Sequence, residues 1–383
     1  MSPPTIAVDT WVMGAHARNQ GVYAYSAQLM NYFRELGPQH GLQFKPFVSA
    51  SSDHDANAFG AATGFQPRST RLLRHSCLWR FGGAWALASL DGVDLVFSPH
   101  CTTLYAGGPV PSVTTIHDLI PVVLPWESRI ARTLRFLLWS AARNSRAIIT
   151  VSQHSKADLM RVYGLPDSRI HVIYNGCDHR VFNCTALDAH LLEATRRRLG
   201  LDRPYVLHYG AIKPNKNLQR LIVACRSLLE RNPNLDFDLV LAGARDSGYE
   251  DVMRTVQQAN GARGRVILTG ALNQQDLVTV IKGATLAVFP SLYEGFCIPM
   301  IESMACGTPT IAANSSCLPE VSGGVLRYFD PCSEEEMSAC IEAALESQEL
   351  RRDLSDKGRH RAAQFEWRRC AEQTLAVLAQ VAG

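Results

Sequence analysis

No stretch of this chain is apolar for long enough to cross a bilayer, and residues 1 to 10 lack a basic segment followed by an apolar one. Neither a spanning helix nor a classical secretion signal is expected. No two cysteines stand in CxxC spacing, and the eleven present are odd in number and widely scattered, which fits a reduced cytoplasmic compartment. Internal repeats, low-complexity tracts and clustered basic residues interleaved with aromatics are also missing, which argues against a solenoid or a nucleic-acid binder. A Walker lysine loop, a GxGxxG fingerprint, a GxSxG elbow and an HExxH helix do not occur. Their absence removes the commonest nucleotide hydrolase, dehydrogenase, esterase and zinc-protease readings.

What is present is length and apolar content for two cores: 383 residues, 46% of them hydrophobic. Apolar, β-branched runs alternate with helical patterns through the first half, in TIAVDT, FKPFVSA, DLVFSP, SVTTIHD, AIITVS and HVIYNG. A polar, helical stretch follows, and a second series begins at Tyr205 with YVLHYG, FDLVLAG, VILTG, LAVFPS and TIAAN, with VLRYF as a sixth candidate. Each series predicts a doubly wound parallel sheet, so the fold class is α/β with two Rossmann-like domains. The expected partition is 1–182, 183–363 and a terminal amphipathic helix, 364–383, built around Trp367, Leu375, Leu378 and Val381. Charge is uneven: residues 1 to 180 hold 16 Lys plus Arg against 11 Asp plus Glu, and the remainder holds 22 against 24.

The most informative segment is SLYEGFCIPMIESMACGTP, residues 291 to 309. A short apolar strand ends at Phe289, Pro290, Ser291 and Gly295 break it, and a helical pattern resumes near Pro299, which suits the first helical position. The NH groups of Gly295, Phe296 and Cys297 are then placed to meet a phosphate. Glu302 falls in the first turn, where a carboxylate repels a bare phosphate but can accept bonds from the vicinal hydroxyls of a ribose. That layout suits a nucleotide diphosphate, with Glu294 aimed at whatever the diphosphate carries. Taken alone, two acids near a helix start are better explained as solvated groups stabilised by about 0.3–1 kcal/mol.

The surrounding residues change that balance, because the paired glutamates, the EGFCIPMIE core and the MACGTP helix end closely resemble the signature of the retaining family-4 glycosyltransferases of the GT-B fold. The resemblance implies two domains facing across a cleft, the terminal helix crossing back to the first. It also implies a ribose-binding Glu302 and a Glu294 beside the donor sugar.

The loop AIKPNKNLQRLI follows the strand YVLHYG, with Pro214 breaking the turn and Asn217 or Asn215 able to cap the next helix. Lys216 at that helix start is useful only if an anion lies beside it, and KPNKNL resembles the family's donor-phosphate loop with Lys216 as its lysine. Many relatives carry an arginine after the glycine, where this chain has Ala211 after Gly210; Lys213 is the candidate second cation. By the same resemblance His117 in TTIHDLIP is assigned a hydrogen bond to the donor sugar, and Asp118 orients local backbone or the imidazole. Gly21, Val22 and Tyr23 are the closest match to a glycine pair common in the family, so the second glycine is a tyrosine in this chain, and Gly14 is the candidate flexible point upstream. Glu320 in SSCLPEVSGG either holds its helix or touches the donor, the structural role being favoured.

The aspartate pairs Asp53/Asp55 and Asp236/Asp238 are poor metal sites, the first in a polar loop and the second at the wrong end of a strand. No metal or cofactor is expected, since loop NH groups and Lys216 can stabilise a leaving diphosphate. Two arginine-rich amphipathic stretches occur: 68–81 is read as a contact to the membrane or a lipid acceptor, and 129–143 as an ordinary packed helix. The expected activity is transfer of a hexose to a lipid-linked or saccharide acceptor in surface polysaccharide synthesis, by front-face displacement. GDP-mannose is the first choice of donor, with UDP- and dTDP-sugars (glucosyl, N-acetylglucosaminyl or rhamnosyl) behind it. A sugar-nucleotide epimerase and an inactive nucleotide-sugar binding protein are the competing readings. The expected location is the cytoplasm, with peripheral contact at the inner membrane's cytoplasmic face.

Overall fold

The computed structural model describes residues 3–10, 21–47, 63–65, 87–89, 92–101, 108–124, 129–259 and 263–383. Gly14, Asp53, Asp55, Cys77 and the 68–81 stretch lie outside the described residues. The chain divides into two compact units, Met1–Gly176 with Trp367–Gly383, and Cys177–Glu366. The sequence reading put the same boundaries at 182 and 363.

The first unit contains β1 (Thr5–Asp9), α1 (Gly21–Leu36), β2 (Gln43–Phe47), β3 (Leu95–Ser98), β4 (Ser112–Ile116), α2 (Ile120–Val123), α3 (Arg129–Asn144), β5 (Ala147–Thr150), α4 (Gln153–Tyr163) and β6 (Ile170–Val172). The second contains α5 (Ala189–Leu199), β7 (Tyr205–Tyr209), α6 (Leu218–Arg231), β8 (Asp238–Ala242), α7 (Tyr249–Ala259), β9 (Val266–Gly270), α8 (Gln274–Gly283) and β10 (Leu286–Phe289). It continues with α9 (Ile298–Ala305), β11 (Thr310–Ala313), α10 (Leu318–Ser322), β12 (Arg327–Phe329), α11 (Glu334–Glu346) and α12 (Gln348–Ala362). The last helix, α13 (Trp367–Ala382), belongs to the first unit.

Each apolar run of the sequence is a strand, and every described pairing is parallel. The orders are β2-β1-β3-β4-β5-β6 and β12-β11-β10-β7-β8-β9. Order also explains burial. Central strands β1, β3, β4 and β5, and β7, β8, β10 and β11, are buried along their whole length because helices cover both faces. The edge strands β2, β6, β9 and β12 are only partly covered.

Helix ends follow local chemistry. Ser152, Asp188, Asn273, Ser333 and Ser347 each accept a backbone NH at the start of the following helix, and Gly164 and Gly200 close α4 and α5 in the left-handed region. α13 buries Trp367, Leu375 and Leu378 and packs on α1 and on β3, β4 and β5. Trp367 meets the ring of Tyr25 edge-on at 6.1 Å, and Arg368 pairs with Glu35 of α1. At about 1.5–3 kcal/mol for each fully buried large side chain, these contacts hold the helix on the first unit despite the intervening unit in sequence.

Asp238 sits at the first residue of β8, buried, with Arg203 at 3.4 Å and Arg265 at 2.6 Å. It is a structural ion-pair centre at the amino end of its strand.

Candidate donor site

In the second unit the strand order reverses direction between β7 and β10, and ligands of open parallel sheets bind beyond the carboxyl ends of strands at such a switch point. The loops leaving those two strands carry Lys216 and Glu294. They are stitched together by main-chain and side-chain bonds: the Leu292 NH donates to the Asn215 carbonyl at 2.8 Å, and Asn215 Nδ2 donates to the Tyr293 carbonyl at 3.0 Å. Asn217 Nδ2 donates to the carbonyls of Pro290 and Pro331, at 3.1 and 2.7 Å. Asn217 occupies the position before α6 in the left-handed region, but its side chain makes no capping bond. The expected capping role is thus replaced by a tie between loops, which asparagine suits because it tolerates positive φ.

Within that frame Lys216 Nζ donates to Glu294 Oε1 at 2.6 Å, and Ser291 Oγ donates to the same oxygen at 2.6 Å. Both members of the ion pair are largely buried. The Glu294 NH donates to Ser316 Oγ at 2.9 Å, and Ser315 Oγ donates to the Ser291 carbonyl at 2.6 Å, so the serine-rich loop after β11 braces the glutamate loop. Glu320 lies in the first turn of α10, and its carbonyl accepts from Arg361 at 3.1 Å.

α9 begins at Ile298, one residue before the sequence reading had it, with Pro299 inside its first turn. Cys297, immediately before the helix, has φ 66° and ψ 65°, a left-handed conformation uncommon for cysteine. The Phe296 ring is buried against Phe365 at 5.4 Å, edge-on, so only the main chain of Phe296 is suited to meet a ligand. Burial pushes the Cys297 and Cys306 thiols up to about 12 and keeps them neutral.

Glu302, one turn into α9, is reached by the hydroxyl of Tyr209 from the end of β7. That hydroxyl stands 2.5 Å from the Pro299 carbonyl and 3.4 Å from Glu302 Oε2, and Ser303 Oγ donates to it at 3.3 Å. Burial raises the Glu302 carboxyl to about 8, a shift that the Tyr209 bond opposes. Part of the Glu302 surface nonetheless stays open, so water limits the shift.

Gly210 adopts φ 134°, and the carbonyl of Gly210 lies where a Cβ on Gly243 would be. Gly243 is therefore required for one backbone to pass the other, and Gly210 for its positive φ. Lys213 points elsewhere: its Nζ stands 3.6 Å from Asp246. It does not join the Lys216–Glu294 pair, and the expectation that it makes up for Ala211 finds no support in this geometry.

In the first unit His117 follows the end of β4. Its Nε2 lies 2.9 Å from the Pro99 carbonyl, which can only accept, so Nε2 carries the proton and Nδ1 is the acceptor of the neutral ring. Burial lowers its pKa to about 4, the Pro99 bond acting in the opposite direction, and Tyr25 packs edge-on to the ring at 4.6 Å. Asp118 Oδ1 accepts from the Ile120 NH at 3.0 Å, the local backbone role expected of it. Gly21 opens α1.

The sequence reading did not single out Tyr209, Asn215 as a loop tie, Ser315 or Ser316. Only one signal points to Tyr209: a polar aromatic at the carboxyl end of β7, the end from which the Lys216 loop leaves. Among the described residues no group of three or more His, Cys, Asp or Glu side chains is arranged to hold a metal ion.

Two parallel six-stranded α/β units, with a lysine and two glutamates at the switch point of the second, define a GT-B glycosyltransferase. The glycosyl transferases group 1 family matches residues 193–361, and Glycosyltransferase Family 4 matches residues 11–181. O-antigen chain mannosyltransferase B of Escherichia coli is 28% identical over 93% of this chain and 94% of its own length. Alpha-maltose-1-phosphate synthase of Mycolicibacterium smegmatis is 31% identical over 80% of this chain and 78% of its own. Anabaena HepE, solved with UDP and glucose, superposes with a TM-score of 0.76 at 18% identity, covering 98% of this chain and all of that one. The chain belongs to the family-4 glycosyltransferases.

Proposed function

We propose that this glycosyltransferase moves a mannosyl group from GDP-mannose to a lipid-linked saccharide, with retention at the anomeric carbon, in the building of a surface polysaccharide. The observation that carries the reading of the site is the Lys216–Glu294 contact at 2.6 Å, made by two loops that leave the strands on either side of the switch point. A diphosphate laid along the α9 amino end meets NH groups and the helix dipole there, and Lys216 adds a positive charge on its other side. Glu302 accepts from the ribose hydroxyls, and Glu294 accepts from hydroxyls of the sugar. His117, neutral and with Nδ1 as acceptor, takes one further sugar hydroxyl.

In the proposed step the bond from the anomeric carbon to the diphosphate oxygen breaks. A bond from the acceptor oxygen forms on the same face, and the acceptor proton passes to the departing diphosphate. Lys216 and the α9 amino end stabilise the negative charge that develops on that oxygen. Glu294 acts as a sugar-binding group, not as a nucleophile, because a carboxylate bound to sugar hydroxyls does not reach the face opposite the leaving group. The mannosyl choice is supported by the E. coli relative, which is named a mannosyltransferase, and by the KPNKN form of the Lys216 loop. A lipid-linked acceptor places the work at the cytoplasmic face of the inner membrane.

The test is a panel of GDP-, UDP- and dTDP-sugars, scored first by thermal stabilisation and then by transfer to lipid-linked oligosaccharide. GDP-mannose alone should stabilise and react. Equal response to all donors would overturn the donor choice, and donor isomerised without any acceptor would overturn transfer in favour of an epimerase.

A further inference from the structure

Among the described residues four large apolar side chains are exposed, Val123, Phe136, Trp139 and Met160, and all four lie on α2, α3 and α4. α3 packs against both of the other helices. Its inner face is an ordinary core face: Leu138, Ala141 and Ala142 pack with Ile116, Ile148 and Leu159. Its outer face is not ordinary. Phe136 and Trp139 are 48% and 47% exposed, with rings stacked at 5.9 Å.

Arg132, Phe136, Trp139 and Arg143 are spaced four, three and four residues apart, which puts them in one stripe along the helix. α3 contains no acidic residue. Arg132, Arg143 and nearby Arg146 are exposed, and none has an acidic partner among the described residues. An exposed aromatic pair normally costs solubility, and arginines without counter-charges normally acquire one. Both are satisfied by a surface that is apolar beneath and anionic on top. A second copy of the chain fits less well, because a self-complementary contact would set these arginines against one another.

We propose that the outer face of α3, centred on Phe136 and Trp139 and flanked by Arg132 and Arg143, docks the protein on an anionic phospholipid bilayer. The packing expected of 129–143 accounts for one side of the helix, and the other side presents this stripe. The inference takes its purpose from the lipid-linked acceptor proposed above, but binding to vesicles requires neither donor nor acceptor. The two readings therefore fail separately.

The experiment is co-sedimentation of the full chain with phosphatidylglycerol/phosphatidylethanolamine vesicles and with phosphatidylcholine vesicles, beside the oligomeric state by analytical ultracentrifugation. The wild-type chain should bind the anionic vesicles only, and less as salt rises. Phe136→Ser/Trp139→Ser should lower partition more than tenfold. Arg132→Gln/Arg143→Gln should lower it about fivefold for each arginine removed. Both variants should keep the wild-type unfolding midpoint and nucleotide binding, since these side chains are exposed, and Glu294→Ala should bind vesicles as wild type does. No binding to anionic vesicles would overturn the proposal. So would unchanged binding by both double variants, or a dimer that Phe136→Ser/Trp139→Ser dissolves without any effect on vesicles.

Discussion

Lys216 Nζ donates to Glu294 Oε1 at 2.6 Å across 78 residues of sequence, joining the loop after β7 to the loop after β10. Both groups are largely buried, so each depends on the other for its charge to be tolerated. Removing the lysine strands a carboxylate whose remaining side-chain partner at that oxygen is Ser291. Lys216→Met should therefore destabilise the chain by about 3 kcal/mol, and adding Glu294→Gln should restore most of the loss. Urea denaturation of the single and double variants measures this; a double variant less stable than either single one would contradict it.

Glu302 makes the stability of the second unit depend on pH between the ordinary carboxyl range and about 8. Its carboxyl is raised to about 8 by burial, above the ordinary value of 4.5. A raised carboxyl pKa means that the fold holds the proton more tightly than the unfolded chain does. The contribution of Glu302 to stability is thus greatest below about 4.5 and is lost as pH rises towards 8. Glu302→Gln should flatten that part of the stability curve. If the ribose hydroxyls bind the ionised carboxylate, nucleotide binding at pH 7 should release a proton from wild type but not from Glu302→Gln. Calorimetry in buffers of different ionisation enthalpy reads the difference.

His117 has the opposite sign. Burial lowers it from 6.5 to about 4, so the unfolded chain takes up a proton first, and the histidine's contribution to stability is lost as pH falls from 6.5 towards 4. The ring is neutral throughout pH 6–8. The transfer rate should show no inflection from His117 in that interval, whereas His117→Ala should lower transfer at least tenfold at every pH within it. An inflection that vanishes in His117→Ala would contradict the neutral assignment.

α13 is the sole described segment of the first unit that follows the second in sequence, and Trp367 anchors it on Tyr25. Trp367→Ala should cost about 3–5 kcal/mol in the first unit. Limited proteolysis should then cut near residue 366 faster in the variant than in wild type.

The sequence made the fold legible because two-sided burial leaves a plain mark: runs of four or five residues, rich in aliphatic and β-branched side chains, at the central strands. VLRYF, the weakest run, forms the edge strand β12, where burial asks least of the sequence. The site was legible where one backbone event required one residue type, as at Gly210 and Pro299. It was not legible where function comes through pairs distant in sequence. Nothing in KPNKN announces that Asn217 holds Pro290 and Pro331, or that Tyr209 stands against Glu302 from 93 residues away. The resemblance separates Lys216 from Lys213 by role but not by partner; only the fold turns Lys213 to Asp246 and Lys216 to Glu294. The outer face of α3 was hidden for a related reason, since an arginine-rich amphipathic helix reads the same whichever of its aromatics face out.

The central claim is a division of labour between Glu302 and Glu294, and titration calorimetry of GDP and GDP-mannose against each alanine variant tests it most directly. Glu302→Ala should weaken both ligands alike, by tenfold or more. Glu294→Ala should bind GDP at least as tightly as wild type while losing the affinity that the mannosyl group adds. Wild-type binding of both ligands by both variants, or an equal loss of GDP affinity in Glu294→Ala, would contradict the account.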